Sequence, residues 1–257
     1  MRPRTLTVTD PFTPIAKHPL LTPQGLQSSR YAIVLDPTGE AQEAGIVTED
    51  YNLVENREVV ETAERVIQAG SLQAIPDKVL FDGRRFRQRW ILPQQSFDVQ
   101  PEDIVALTLD ATNSYDGSTR FGLSFNLQRL ICSNGMVVDQ LLGGFRFKHN
   151  HSHGDIFDEE VEQAVERLMA LATNVHLLAP KFQAMTRQKL SIQGIQRVFH
   201  ELETPRPLVA DVFQELEGNR AWDLYNAFTH VLTRQETFGA EHTNRRVTQY
   251  FLDRARG

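Results

Sequence analysis

Residues 78–92 read Lys-Val-Leu-Phe-Asp-Gly-Arg-Arg-Phe-Arg-Gln-Arg-Trp-Ile-Leu, and the fold class turns on them. Lys78 to Phe81 and Arg84 to Leu92 are strand-like runs, and Asp82-Gly83 between them suits the tight hairpin turn that demands positive φ. A β-hairpin is therefore expected, and with it an antiparallel sheet. Side chains of a strand alternate between faces, which places Arg85, Arg87 and Arg89 on one side and Phe86 and Trp90 on the other.

Downstream, Ile104 to Ala111, Thr119 to Leu127 and Arg129 to Val138 supply further β-prone runs, with Asn113-Ser114-Tyr115-Asp116-Gly117-Ser118 as the polar turn between the first two. Upstream, Arg30 to Leu35 is a strand stopped by Asp36-Pro37-Thr38-Gly39, and Asp50 to Val54 reads as another short one. Asn56 can cap a helix that carries Val59, Val60, Ala63, Val66 and Ile67 on one face and ends at Gly70. Pro3, Pro11, Pro14, Pro19 and Pro23 make residues 1–28 an extended arm.

Beyond Asp155 the period changes. Ile156, Val161, Ala164, Val165, Leu168, Met169, Leu171 and Ala172 recur at helical spacing behind Asp158, Glu159 and Glu160, acids favoured at a helix start. Pro180 interrupts, and amphipathic pieces follow at about 191–202, 208–216, 220–235 and 241–255. The expected fold is α+β: an antiparallel sheet with a β-hairpin in the N-terminal half and a helical C-terminal half. The organisation is an arm (1–28), a sheet-rich part (29–154) and a helical part (155–257), the last two open to forming one continuous core.

Composition narrows the function classes. With 40% hydrophobic and 23% charged residues, the chain reads as an ordinary folding sequence. No apolar run is long enough to span a membrane and the start lacks a secretory signal, so the expected location is the cytoplasm, away from any membrane. One cysteine, Cys132, permits no intramolecular disulfide, and its apolar neighbours Leu130 and Ile131 favour core packing over catalysis. A formal charge of −6 argues against a general nucleic-acid coat but leaves room for a local basic face. There is no Gly-rich phosphate loop, dinucleotide fingerprint, nucleophile elbow or His-Glu-x-x-His, so standard NTPase, Rossmann and hydrolase chemistries are not expected, and neither is a cofactor.

Asn113 to Ser118, Arg129 to Val137 (RLICSNGMV), Phe145 to Ser152 (FRFKHNHS) and Ala221 to Leu232 (AWDLYNAFTHVL), in that order, resemble the phage/plasmid-like family called domain of unknown function 932. The resemblance spans roughly residues 30–235. The sequence departs from the family pattern at Tyr115, where histidine is more usual, and at His149-Asn150-His151, where arginine-histidine-threonine is. The resemblance implies a mobile-element context and brings no established reaction with it.

Two constellations carry chemistry. On a strand rising about 3.3 Å per residue, Arg85, Arg87 and Arg89 stand about 6–7 Å apart, a spacing that matches a nucleic-acid backbone, and arginine grips phosphate with paired donors. The bland alternative is a solvated sheet face paired with acids. Arg129 either reaches a partner or anchors a buried carboxylate. Farther on, Arg146 and Lys148 are candidate phosphate contacts, while His149, His151 and His153 with Asp155 are the types and spacing of a metal site, or of a plain polar connection. Asn113, Asp116 and Ser118 are turn formers first, and Asn226 is expected to hydrogen-bond between helices.

The leading expectation is a nucleic-acid-associated accessory protein of a mobile element that binds or anneals single-stranded DNA through Arg85, Arg87, Arg89, Arg129, Arg146 and Lys148, with homo-oligomers in prospect. Two others stand beside it: a protein-binding factor that inhibits or redirects a host defence or replication protein, which the acidic charge suits, and a metal-dependent enzyme built on the histidines.

Overall fold

In the computed structural model, which describes residues 10–130, 134–136, 144–146, 155–235 and 237–255, the hairpin forms where the dipeptide demands it. Strands β4 (Ile75–Phe81) and β5 (Arg85–Gln100) flank a turn in which Gly83 takes φ 84°. A side chain there would be strained, so glycine is the fitting residue. Strand β5 runs through Pro93, where the sequence pattern had ended it. The seven residues of β4 cover only the first half of β5, and a proline without an N–H is tolerated where one side of a strand has no partner.

Strands β6 (Asp103–Ser114) and β7 (Gly122–Arg129) continue the sheet, and the short β8 (Asn134–Met136) and β9 (Gly144–Arg146) both pair with β7. The order is β4-β5-β6-β7-β8, with Arg129 opposite Asn134 and Gly122 opposite Arg146. A second, three-stranded sheet has the order β1 (Ile15–Leu21), β2 (Gln27–Leu35), β3 (Gln42–Thr48), both pairings antiparallel.

Part of the proline-rich arm is thus an edge strand, and the register shift between Pro19 and Leu21 sits where proline interrupts the ladder. The second upstream strand lies at Gln42–Thr48 and not at 50–54, which has no regular structure. Gly45 disguised it: glycine reads as a strand breaker, but here the backbone approaches Asp116 so closely that a Cβ would sit 2.7 Å from the Asp116 Cα. Helix α1 (Asn56–Ala69) buries Val59, Ala63, Val66 and Ile67 as the periodicity requires. Its N-cap is Glu55, without a side-chain cap bond, and Asn56 turns inward instead.

The C-terminal half is helical: α2 (Asp155–Asn174), a 3-10 turn (Val175–Leu178), α3 (Ala179–Arg187), α4 (Ile192–Glu201), α5 (Arg206–Gln214), α6 (Ala221–Arg234) and α7 (Phe238–Arg254). Pro180 opens α3, where its missing N–H costs nothing. Ser191 caps α4 by accepting from the Gly194 amide, and Thr237 caps α7 through Ala240. The architecture is α+β, with antiparallel sheets first and helices after. Among the described residues, no helix is long and apolar enough to cross a membrane.

Two compact units interleave along the chain. The first is Met1–Trp90, Leu109–Ser124 and Gly144–Leu168; the second is Ile91–Thr108, Phe125–Gly143 and Met169–Gly257. In the first, Ile33, Leu35, Ala44, Val47 and Tyr115 form a buried apolar cluster. In the second, Phe97 packs on Phe182 at 5.6 Å, Phe182 on Trp222 at 5.9 Å, and Tyr225 on Phe251 at 5.4 Å, an aromatic core in tilted and edge-on geometries.

Candidate functional site

The hairpin turn is built by Asp82. One carboxylate oxygen accepts the amides of Arg84 (3.0 Å) and Arg85 (2.7 Å), and the other accepts Nε (2.9 Å) and Nη2 (2.7 Å) of Arg85. Burial pushes this carboxyl up, but the Arg85 and Arg84 hydrogen bonds and the Arg85 charge outweigh it and hold Asp82 below the usual carboxylate range. Arg84, at the turn, is exposed.

From there the arginines step inward along β5. Arg85 keeps 39% of its side chain exposed, Arg87 is half-buried, and Arg89 is buried with 7%. Arg89 forms a two-pronged pair with Asp110, Nε–Oδ1 at 2.7 Å and Nη2–Oδ2 at 2.8 Å. Burial lowers its affinity for a proton, but Asp110 overcompensates and leaves it above the ordinary arginine value. At Arg87 burial wins: desolvation, only partly countered by Asp110 and reinforced by neighbouring Arg89, pushes the guanidinium down to about 10. The three arginines do share one side of the strand, with Phe86, Gln88 and Trp90 buried on the other. They do not make one solvated row, because Arg89 is an internal anchor.

A backbone bond joins this turn to another. The Tyr115 amide donates to the Arg84 carbonyl at 2.8 Å, so the 113–118 turn abuts the hairpin tip. Within it, Asp116 accepts the Ser118 amide at 2.9 Å, Gly117 takes φ 75°, and the Ser114 hydroxyl bridges to Thr119, donating to its carbonyl (2.8 Å) and accepting its amide (2.9 Å). Asp116 and Ser118 serve the turn. Asn113 is buried and donates to the Val54 carbonyl (2.9 Å) and to Asn56 Oδ1 (3.1 Å). Asn56 donates to the Pro11 carbonyl at 2.8 Å, its amide donates to the Tyr115 hydroxyl at 3.3 Å, and the Tyr51 hydroxyl donates to the Ser114 carbonyl at 2.6 Å. Burial raises both phenols well above their ordinary value, which keeps both hydroxyls neutral, Tyr51 as a donor and Tyr115 as an acceptor. This network fixes the turn on α1, and Arg120 stands exposed just beyond it.

Arg84 and Arg120 escaped the sequence reading. Arg84 sits in the turn, outside the alternation argument, and Arg120 follows by two residues a turn that the Tyr115 bond joins to Arg84.

Arg129 anchors a buried carboxylate. Its Nε and Nη2 bond both oxygens of Asp103, the second at 2.9 Å, and the Trp222 indole N–H donates to the same group at 2.9 Å. Expected also as a phosphate contact, Arg129 is committed to this pair in the second unit. Arg146 ends β9 and Asp155 opens α2; Lys148, His149, His151, His153 and Cys132 lie outside the described residues. Among the described residues no group of three His, Cys, Asp or Glu could hold a metal ion. The inter-helix bond expected of Asn226 is made by its neighbour: Tyr225 and Thr248 hydroxyls meet at 3.0 Å, whereas the buried Asn226 Oδ1 has no hydrogen-bond partner among the described residues.

A family model described as Domain of unknown function (DUF932) matches residues 43–253. No curated protein and no solved structure matches the chain.

Proposed function

The chain belongs to the DUF932 family, and from its hairpin geometry we propose that it is a nucleic-acid-associated accessory protein of a phage- or plasmid-type element that holds single-stranded nucleic acid. The observation that carries this reading is the backbone bond that joins two turns with arginines beside them. The Tyr115–Arg84 backbone bond joins the hairpin tip, with Arg84, Arg85 and Arg87 on it, to the 113–118 turn, two residues before the exposed Arg120. Guanidinium groups on alternate strand residues, about 6–7 Å apart, suit successive phosphates.

Fluorescence anisotropy with labelled single-stranded DNA, duplex DNA and RNA at two salt concentrations tests the reading. The expected outcome is single-strand binding that weakens with salt and falls by about tenfold or more in Arg84→Gln/Arg87→Gln/Arg120→Gln. Folded wild-type protein that binds none of the three ends it.

A further inference from the structure

In the second unit an open cleft of about 570 Å³ is lined by Ala184, Arg187 and Gln188 around the end of α3 and by Asp253 and Arg254 at the end of α7. That volume lies in the range of small-molecule sites. Arg254 is fixed there before any ligand arrives. Its guanidinium lies 3.8 Å from the centroid of the Tyr250 ring, and its Nη2 donates to Glu201 at 3.2 Å. The Tyr250 hydroxyl donates to the same carboxylate at 2.7 Å. Arg187 projects exposed from the last turn of α3 and pairs with no carboxylate among the described residues.

The charges do not cancel. Glu201 is shared between Arg254 and Arg197, both of which act on it electrostatically, and Asp253 is engaged by Gln249 at 2.6 Å. Among the described lining residues, two guanidinium groups, Arg187 and Arg254, face one carboxylate, Asp253. A stacked, pre-oriented arginine beside a second arginine matches a phosphate that carries an aromatic base: donors for the phosphate, and a flat cationic surface on which the base can lie.

We propose that this cleft binds the phosphate of a nucleotide, free or within a single strand, with Arg187 and Arg254 on the phosphate and the Tyr250–Arg254 stack under the base. This site is separate in residues from the hairpin interface and does not depend on it. Titration calorimetry on the full chain carrying Arg84→Gln/Arg87→Gln/Arg120→Gln, with deoxyadenosine monophosphate, a short oligothymidylate, deoxyadenosine and inorganic phosphate, isolates it.

Saturable binding of the mononucleotide or the oligonucleotide is expected, the better ligand distinguishing the two sources. Arg187→Gln should weaken it by about tenfold, the loss of one charge-assisted contact. Asp253→Asn, which removes a repelling carboxylate, should tighten it, a gain that no folding defect can mimic. Failure of both nucleotides to bind at millimolar concentration, unchanged affinity in Arg187→Gln, or equal affinity for inorganic phosphate would overturn the assignment.

Discussion

Asp110 forks onto Arg89, whose side chain is buried with it, and Arg85, four residues back on the same strand, pairs with Asp82 at the surface. The consequence is a steep contrast along one strand. Removing Arg89 strands a buried carboxylate, and Arg89→Ala should cost about 3–5 kcal/mol of unfolding free energy. Arg85, whose ion pair with Asp82 is more than a third exposed on both sides, should cost less than about 1 kcal/mol when changed to alanine. Urea denaturation measures both, and equal midpoints for the two variants would show that the buried pair is not an anchor. The Asp82 carboxyl titrates below its usual value, so its pairing adds stability above the ordinary carboxylate range. That contribution is lost as pH falls through the lowered folded value.

Elements here are held by close approach as much as by side-chain packing. Strand β3 touches the 113–118 turn through bare backbone at Gly45, where a Cβ would meet the Asp116 Cα and the Tyr115 oxygen, each at 2.7 Å. Neither atom can swing aside, so Gly45→Ala should destabilise by about 1–3 kcal/mol. It should also loosen the turn that carries Tyr115. Gly194 is the opposite case: a Cβ there would meet only ordinary contacts, Ser191 Oγ at 3.5 Å being the nearest, and the residue lies in the first turn of α4. Gly194→Ala should raise stability by up to about 1 kcal/mol, because alanine is the better helix former. Thermal melts of the two variants should move in opposite directions, and a melt that rises for Gly45→Ala contradicts the close-approach account.

The whole molecule resists division at the point where strands give way to helices in sequence. Both compact units draw residues from before and after residue 154. In the second, the helical residues Phe182 and Trp222 need Phe97 and Asp103 from the strands to complete their packing and hydrogen bonds. A fragment comprising 155–257 should therefore retain helix but lack a cooperative unfolding transition, since its aromatic core loses one wall and the indole N–H of Trp222 loses its acceptor. Circular dichroism against urea checks this, and a sharp transition in the fragment would show that the helices make a core of their own.

Local chemistry settled much of this in advance. Asp82-Gly83 determined the hairpin because few residues accept positive φ, and the 3.6-residue apolar period determined α1 and the C-terminal helices because only one face could be buried. The turn at 113–118 was legible for the same reason, and so was the choice of β5 as the strand that carries arginines on one side. What the sequence could not decide is which of those arginines meets solvent. Alternation gives a side chain its face but not its depth, and depth depends on Asp110, which folding brings opposite Arg89. Likewise Arg129 stood between partner and anchor until Asp103 and Trp222, distant in the chain, closed around it. Gly45 belongs in β3 because the backbone it admits comes from another element. Spacing along a chain records the geometry of one element; the pairing of a charge requires knowing what lies across from it, and that is decided only when the elements pack.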